Sequence, residues 1–303
     1  MSKKNLILGG ILIVLIAFSY VWSGPFKNWK ANSVREKNFL AAISAAEVNK
    51  IEITSAGGKT ILEKAGELWR VNGAKDFYVS KYTADALSTI LSEVGIKPLE
   101  TVSAARNKKS SFGTDDQGIK VGITEPGETL DFIVGKNTPD FIGTYISTLD
   151  RDKTYSIGLD LAGLFGRTEW RDLTIFSFNK AQAVKIRFQY GKTNFVVEKN
   201  NNNKWTGIVP NEFPVSEEKI IAVLGVLENL LAAKIPVQDF KDTGLETNSQ
   251  IIQVTGAGFD NTLMIGDCIK DDLCYAKRGN SDNIYLITRA QKDALNKKII
   301  DLK

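Results

Sequence analysis

Ser216 and Lys219 stand in the spacing S-x-x-K, in which a lysine amine can take the proton of a serine nucleophile. No K-T-G element accompanies the pair. Ser216 is followed by Glu217 and Glu218, so it reads instead as a helix N-cap with acidic first-turn residues. Asp267, Asp271 and Asp272 gather oxygen ligands around a short segment, as a calcium loop would. They lack the D-x-[DN]-x-[DN]-G order of a dedicated loop and read as turn carboxylates, as does the pair Asp115-Asp116. The chain has two cysteines and no histidine. Histidine-based triads and histidine-ligated zinc are therefore excluded, and two thiols cannot complete a four-ligand zinc site. Neither G-x-x-x-x-G-K-[ST] nor G-x-G-x-x-G occurs, so no nucleotide site is expected. These residues predict no catalytic group, no cofactor and no metal site, and the chain is expected not to be an enzyme.

Cys268 and Cys274 fall on either side of an expected hairpin loop, where a short-range disulfide is geometrically allowed and an oxidising compartment would favour it. Trp69 and Trp205 are candidate stacking platforms for a glycan or peptide partner. Their equivalent positions on strands fit framework roles better. Arg106, Lys108 and Lys109 form the one dense basic cluster, in a serine-rich connection that reads as a solvated loop and a weak partner-binding candidate. The net charge of +4, from 39 basic and 35 acidic residues, is too small and too dispersed for a nucleic-acid surface.

The elements that must position these residues occur twice. Ile51-Glu52-Ile53 answers to Ile186-Arg187-Phe188, Leu62-Glu63-Lys64 to Val197-Glu198-Lys199, Trp69 to Trp205 and Val79-Ser80 to Val215-Ser216. Further along, Pro98 pairs with Pro236, Gly135 with Gly266, Tyr145 with Tyr275 and Tyr155 with Tyr285. A period of about 130 residues is too long for a solenoid unit and marks two copies of a domain.

Each copy opens on two strands, Lys50–Thr54 with Thr60–Lys64 and Val184–Tyr190 with Thr193–Lys199, the first pair joined at Gly57-Gly58. A tryptophan strand follows, then an amphipathic helix. Its stripe is Ala84, Leu87, Ile90, Leu91 and Val94 in the first copy. In the second it is Ile220, Val223, Leu224, Leu227, Leu230 and Leu231. Both helices must stop before Pro98 and Pro236. Three or four more strands and a short closing helix (159–166; 289–296) complete each copy. Short turns between strands imply an α+β fold of two tandem homologous units, each a mostly antiparallel sheet with helices on one face.

Leu6 to Trp22 carries no charge and is close to the roughly 17–25 residues a membrane span needs. Lys3 and Lys4 precede it, and Tyr20 and Trp22 stand where an aromatic belt would lie. The bulky Phe18–Trp22 segment lacks a small-residue cleavage pattern, so the run is expected to be an uncleaved signal anchor within residues 1–27. The N-terminus would then be cytoplasmic and everything beyond Pro25 outside. Residues 28–47 are expected to be a membrane-proximal helix or linker, followed by repeats over 48–176 and 183–303.

The order of these residues resembles a bacterial family, the domain of unknown function DUF4340. The first copy supplies Leu62-Glu63-Lys64, Trp69, Phe112-Gly113, Ile133-Val134-Gly135-Lys136, Tyr145 and Tyr155-Ser156-Ile157. The second supplies Trp205, Thr243-Gly244-Leu245, Met264-Ile265-Gly266-Asp267, Tyr275 and Ile284-Tyr285-Leu286-Ile287. The chain departs from the family pattern at Phe112-Gly113, where leucine would follow the glycine, and at Asp267, where lysine would stand. The resemblance implies no assigned activity. It implies a membrane-anchored extracytoplasmic binding or scaffolding protein, accessory to an ABC-type transport or gliding-motility-like envelope complex, with a permease or auxiliary subunit as partner. The alternatives are a cell-wall or glycan-binding adaptor and an envelope hydrolase using paired carboxylates.

Overall fold

The computed structural model describes residues 35–73, 77–247 and 249–303, together with Leu15 and Ser19. The expected anchor, Leu6 to Trp22, otherwise lies outside the described residues. Among the described residues no helix is long and apolar enough to cross a membrane. The chain divides into two compact units, one ending at Trp170 and the other beginning at Arg171.

The first unit contains β1 (Arg35–Glu36), β2 (Lys50–Ser55), β3 (Gly58–Ala65), β4 (Leu68–Val71), β5 (Leu99–Ser103), β6 (Ile119–Glu125), β7 (Glu128–Asn137), β8 (Thr144–Thr148) and β9 (Thr154–Ile157). Its helices are α1 (Lys81–Val94), α2 (Lys109–Phe112) and α3 (Leu161–Phe165). The strands make one sheet in the order β1-β5-β9-β8-β7-β6-β2-β3-β4, with every pairing antiparallel. Period-two alternation puts Ile51 and Ile53 on the apolar face, with Lys50 and Glu52 opposite. Onto the apolar face α1 lays Leu87, Leu91 and Val94, and the same core takes in Leu62, Val121, Phe132, Ile146 and Tyr155. Ser80 caps α1, its hydroxyl accepting from the Thr83 amide at 3.3 Å.

The second unit contains β10 (Ala183–Tyr190), β11 (Thr193–Lys199), β12 (Trp205–Val209), β13 (Phe213–Pro214), β14 (Gln250–Gly256), β15 (Phe259–Cys268), β16 (Leu273–Arg278) and β17 (Ile284–Thr288). Its helices are α4 (Glu217–Leu227), α5 (Arg289–Leu295) and α6 (Ile299–Leu302). The order β13-β12-β11-β10-β14-β15-β16-β17 is the first unit's order from β4 to β9 with one strand added outside β12. The registers repeat as well. Ile51 pairs with Leu62 and Ile123 as Ile186 pairs with Val197 and Val254. Lys64 lies opposite Trp69 as Lys199 lies opposite Trp205. The sheets and helices together make the fold α+β.

Three expectations are corrected by this architecture. From Arg35 onward, the stretch expected to be a membrane-proximal helix or linker belongs to the first unit. It forms an edge strand and a 3-10 turn at Phe39–Ala42 whose Leu40 is fully buried in the core. Helix α4 stops at Leu227, so Leu230 and Leu231 are not helical. Leu230 O accepts from Ile175 N, the Ala232 amide donates to Leu173 O, and Lys234 bridges to Leu286 of β17. Those backbone partners outcompete another helical turn. The structure also adds a strand that the sequence pattern does not mark, β5 after Pro98, held by β9. Finally, α2 does not share the face of α1. Phe112 packs on Tyr145 with ring centroids 4.8 Å apart, and Tyr145 alternates with the core residue Ile146, so α2 crosses the opposite face.

Candidate functional site

Ser216 is the N-cap of α4, but its hydroxyl makes no capping bond; its amide donates to Leu302 O at 2.7 Å. Lys219 Nζ donates to Lys303 O at 2.6 Å. Both members of the S-x-x-K spacing thus bind the closing helix segment. Ser281-Asp282-Asn283, an S-D-N tripeptide, forms the turn between β16 and β17. There Ser281 Oγ accepts from Asn283 N at 3.2 Å, and Asp282 lies 3.4 Å from Lys277.

The aspartates do not converge. Asp272 is held by Arg289, Nε to Oδ1 at 2.9 Å, whereas the Asp267 amide donates to Thr243 O at 2.7 Å. Asp115 Oδ1 accepts from the Gln117 amide at 3.2 Å as a turn cap. Among the described residues no group of three acidic, cysteine or histidine side chains is arranged to hold a metal ion. Cys268 and Cys274 are bonded, as directly opposite residues of β15 and β16. Lys292 Nζ lies 3.4 Å from Cys268 Sγ and donates to Gly266 O at 2.8 Å. Nothing in the local sequence marks Lys292 as their neighbour, because α5 reaches them only through the tertiary fold.

Trp69 and Trp205 are each 6% exposed, so neither ring has a free face for a glycan or peptide. Lys199 Nζ lies 5.4 Å from the centre of the Trp205 ring and covers part of it. The basic cluster is divided. Arg106 is exposed over 85% of its side chain and stands 3.8 Å from Asp152; Lys108 is exposed too. Lys109 is only 8% exposed, and its Nζ donates to the carbonyls of Arg151 at 3.0 Å and Thr148 at 3.5 Å. Lys109 therefore ties α2 to the β8–β9 hairpin, because those carbonyls at the strand ends need donors.

The motif residues do meet, once in each unit. β7 leaves regular pairing with β8 between Val134 and Asn137, and β15 leaves pairing with β16 between Ile265 and Cys268. These bulges hold Gly135-Lys136 and Gly266-Asp267. Against them lie Gly113 and Gly244, both at φ +68, a left-handed conformation glycine adopts without penalty. Lys136 Nζ donates to Ser111 O at 3.1 Å. Bulges often re-aim side chains beside functional sites. In these two bulges Lys136 Nζ, the Asp267 amide and Lys292 Nζ all donate to backbone carbonyls, so the arrangement fixes a strand bend.

Of the charged groups, Glu52 accepts from Lys50 at 2.5 Å and Lys59 at 2.6 Å. Hydrogen bonding to Lys50 first, then to Lys59, holds its carboxyl below the usual glutamate range. This is a surface ion-pair network on the polar sheet face.

Neither the curated proteins nor the solved structures contain a match to this chain. The family described as "Domain of unknown function (DUF4340)" matches residues 69–236 and 205–303, segments that begin at the paired tryptophans. Strand order, register and paired glycine bulges thus accompany a family match over most of the sequence, and the chain belongs to the DUF4340 family.

Proposed function

We propose that this protein is a membrane-anchored, extracytoplasmic binding or scaffolding component, accessory to an ABC-type transport or gliding-motility-like envelope complex. The observation that supports this reading is that the chemistry-bearing residues serve the framework. Ser216, Lys219, Asp272, Trp69, Trp205 and Lys109 each hold a strand, helix end or core. What the two units leave open to a partner is surface. The charge-free segment Leu6 to Trp22 supplies the attachment in this reading. A glycan adaptor working through Trp69 or Trp205 would have to expose a buried ring. The test is crosslinking in intact cells, then mild detergent extraction and identification of bound proteins by mass spectrometry. Reproducible recovery of a permease or its ATPase is expected. Recovery of the protein alone under several crosslinkers would reject the accessory role.

A further inference from the structure

Arg106 and Lys108, on the connection leaving β5, come beside Arg151 in the β8–β9 turn. Lys109 joins the two segments through the carbonyls of Thr148 and Arg151. Lys37 and Arg151 line one shallow hollow with Ala41 and Ala42. Lys37, Arg106, Lys108 and Arg151 are all exposed. Asp150 and Asp152 are the acidic residues in the same turn, so the corner stays basic. Two apolar side chains stand among these charges, Leu149 at 50% exposure and Val102 at 39%. No local sequence signal joins residues 106 and 151; the sheet order does.

The direction of the chain says what this corner faces. β1 runs antiparallel to β5, with Arg35 opposite Glu100 and Glu36 opposite Leu99. It is therefore entered from the end of the sheet at which β5 leaves toward Arg106. Residues 23–34 are all that separate Trp22 from that strand, and even fully extended they reach only about 40 Å. We infer that the corner formed by Lys37, Arg106, Lys108, Arg151 and Leu149 docks on the anionic headgroups of the bilayer that Leu6–Trp22 enters. Cations draw the corner to the surface, and Leu149 supplies apolar contact at headgroup depth. Glu125 and Glu128, in the turn between β6 and β7, confine the contact to this corner. The inference rests on the anchored reading above and adds the orientation of the first unit.

The test uses the full chain reconstituted in vesicles of phosphatidylcholine alone or with phosphatidylglycerol. An environment-sensitive fluorophore is placed at Leu149→Cys, and separately at Phe141→Cys, at the opposite end of β8, and at Glu128→Cys. Headgroup nitroxide lipids are the quencher. Quenching several-fold stronger at position 149 than at 141 or 128 is expected, and only with phosphatidylglycerol present. A surface-bound basic residue is worth about a fivefold shift toward docking, so Arg106→Gln/Lys108→Gln/Arg151→Gln should lower the docked-to-undocked ratio about 100-fold. Salt at ~0.5 M should act likewise. Flotation of the same vesicles reads the anchor separately. Protein that floats but is quenched equally at 149 and 141, or without regard to anionic lipid, overturns the inference alone. Protein that does not float overturns the anchored reading and this inference with it.

Discussion

Gly135 faces the carbonyl oxygen of Phe112 so closely that no Cβ fits between them, and Gly266 faces the carbonyl of Thr243 in the same way. Thr114 Cγ2 would lie 2.7 Å from such an added atom in the first unit, and the Leu245 amide 3.0 Å in the second. Each contact seats a bulged strand on a left-handed turn. The Lys136 and Asp267 side chains, opposite in charge, follow the same bend because backbone approach sets it.

Replacing either glycine by alanine forces that backbone apart. Gly135→Ala and Gly266→Ala should each cost about 1–3 kcal/mol, the usual range for overpacking a tight site. Chemical denaturation checks this, and a loss under about 0.5 kcal/mol would show that the bulge can relax.

Lys109→Met keeps the buried stem but removes the ammonium that binds Arg151 O and Thr148 O. A cost of about 1.5–3 kcal/mol is expected for bonds made by a charged donor. Exposed Lys108→Met should change stability by less than about 0.5 kcal/mol. Equal effects in urea titrations would remove the structural role given to Lys109.

Cys268 and Cys274 close a loop of six residues' separation. On chain entropy, a bridge this short contributes about 2 kcal/mol. The double substitution to serine should lower stability by that amount, and neither thiol should react with iodoacetamide before reduction. Alkylation of the unreduced native protein would count against the bond.

Tyr190 is half-buried, and its hydroxyl has no hydrogen-bond partner among the described residues. Burial first, and the charge of Asp301 second, push its phenol from 10.0 to about 12. As pH rises from 10, an unfolded chain gives up this proton while the native one keeps it, so native stability falls until about pH 12. Tyr190→Phe should flatten that part of the alkaline profile and lose little stability at pH 7. Denaturation midpoints measured on both proteins across this window decide it, and parallel curves would refute the assignment.

The duplication, most of the strands and the helix stripes are legible in the sequence because each is written in neighbouring residues, whereas β1, β5 and β13 carry no such mark. Ile51 and Ile53 alternate with polar neighbours, and Leu87, Leu91 and Val94 recur at helical spacing, whatever lies around them. The pairing of Ile51 with Leu62 and of Ile186 with Val197 follows from the short turns between their strands. Other features depend on partners distant in sequence. Leu230 and Leu231 continue a helical stripe, yet they lie outside the helix because Leu173, Ile175 and Leu286 offer that segment backbone bonds. Lys109 looks like one more cation of a solvated loop until the β8–β9 turn presents two carbonyls to it. Trp69 and Trp205 are equally aromatic whether exposed or covered, and the packing of each sheet covers them. The sequence by itself determined the repeat and its elements, through periodicities written into neighbouring residues. The tertiary structure decided which side chains remain at the surface, because burial and backbone satisfaction depend on groups that only the folded sheets bring together.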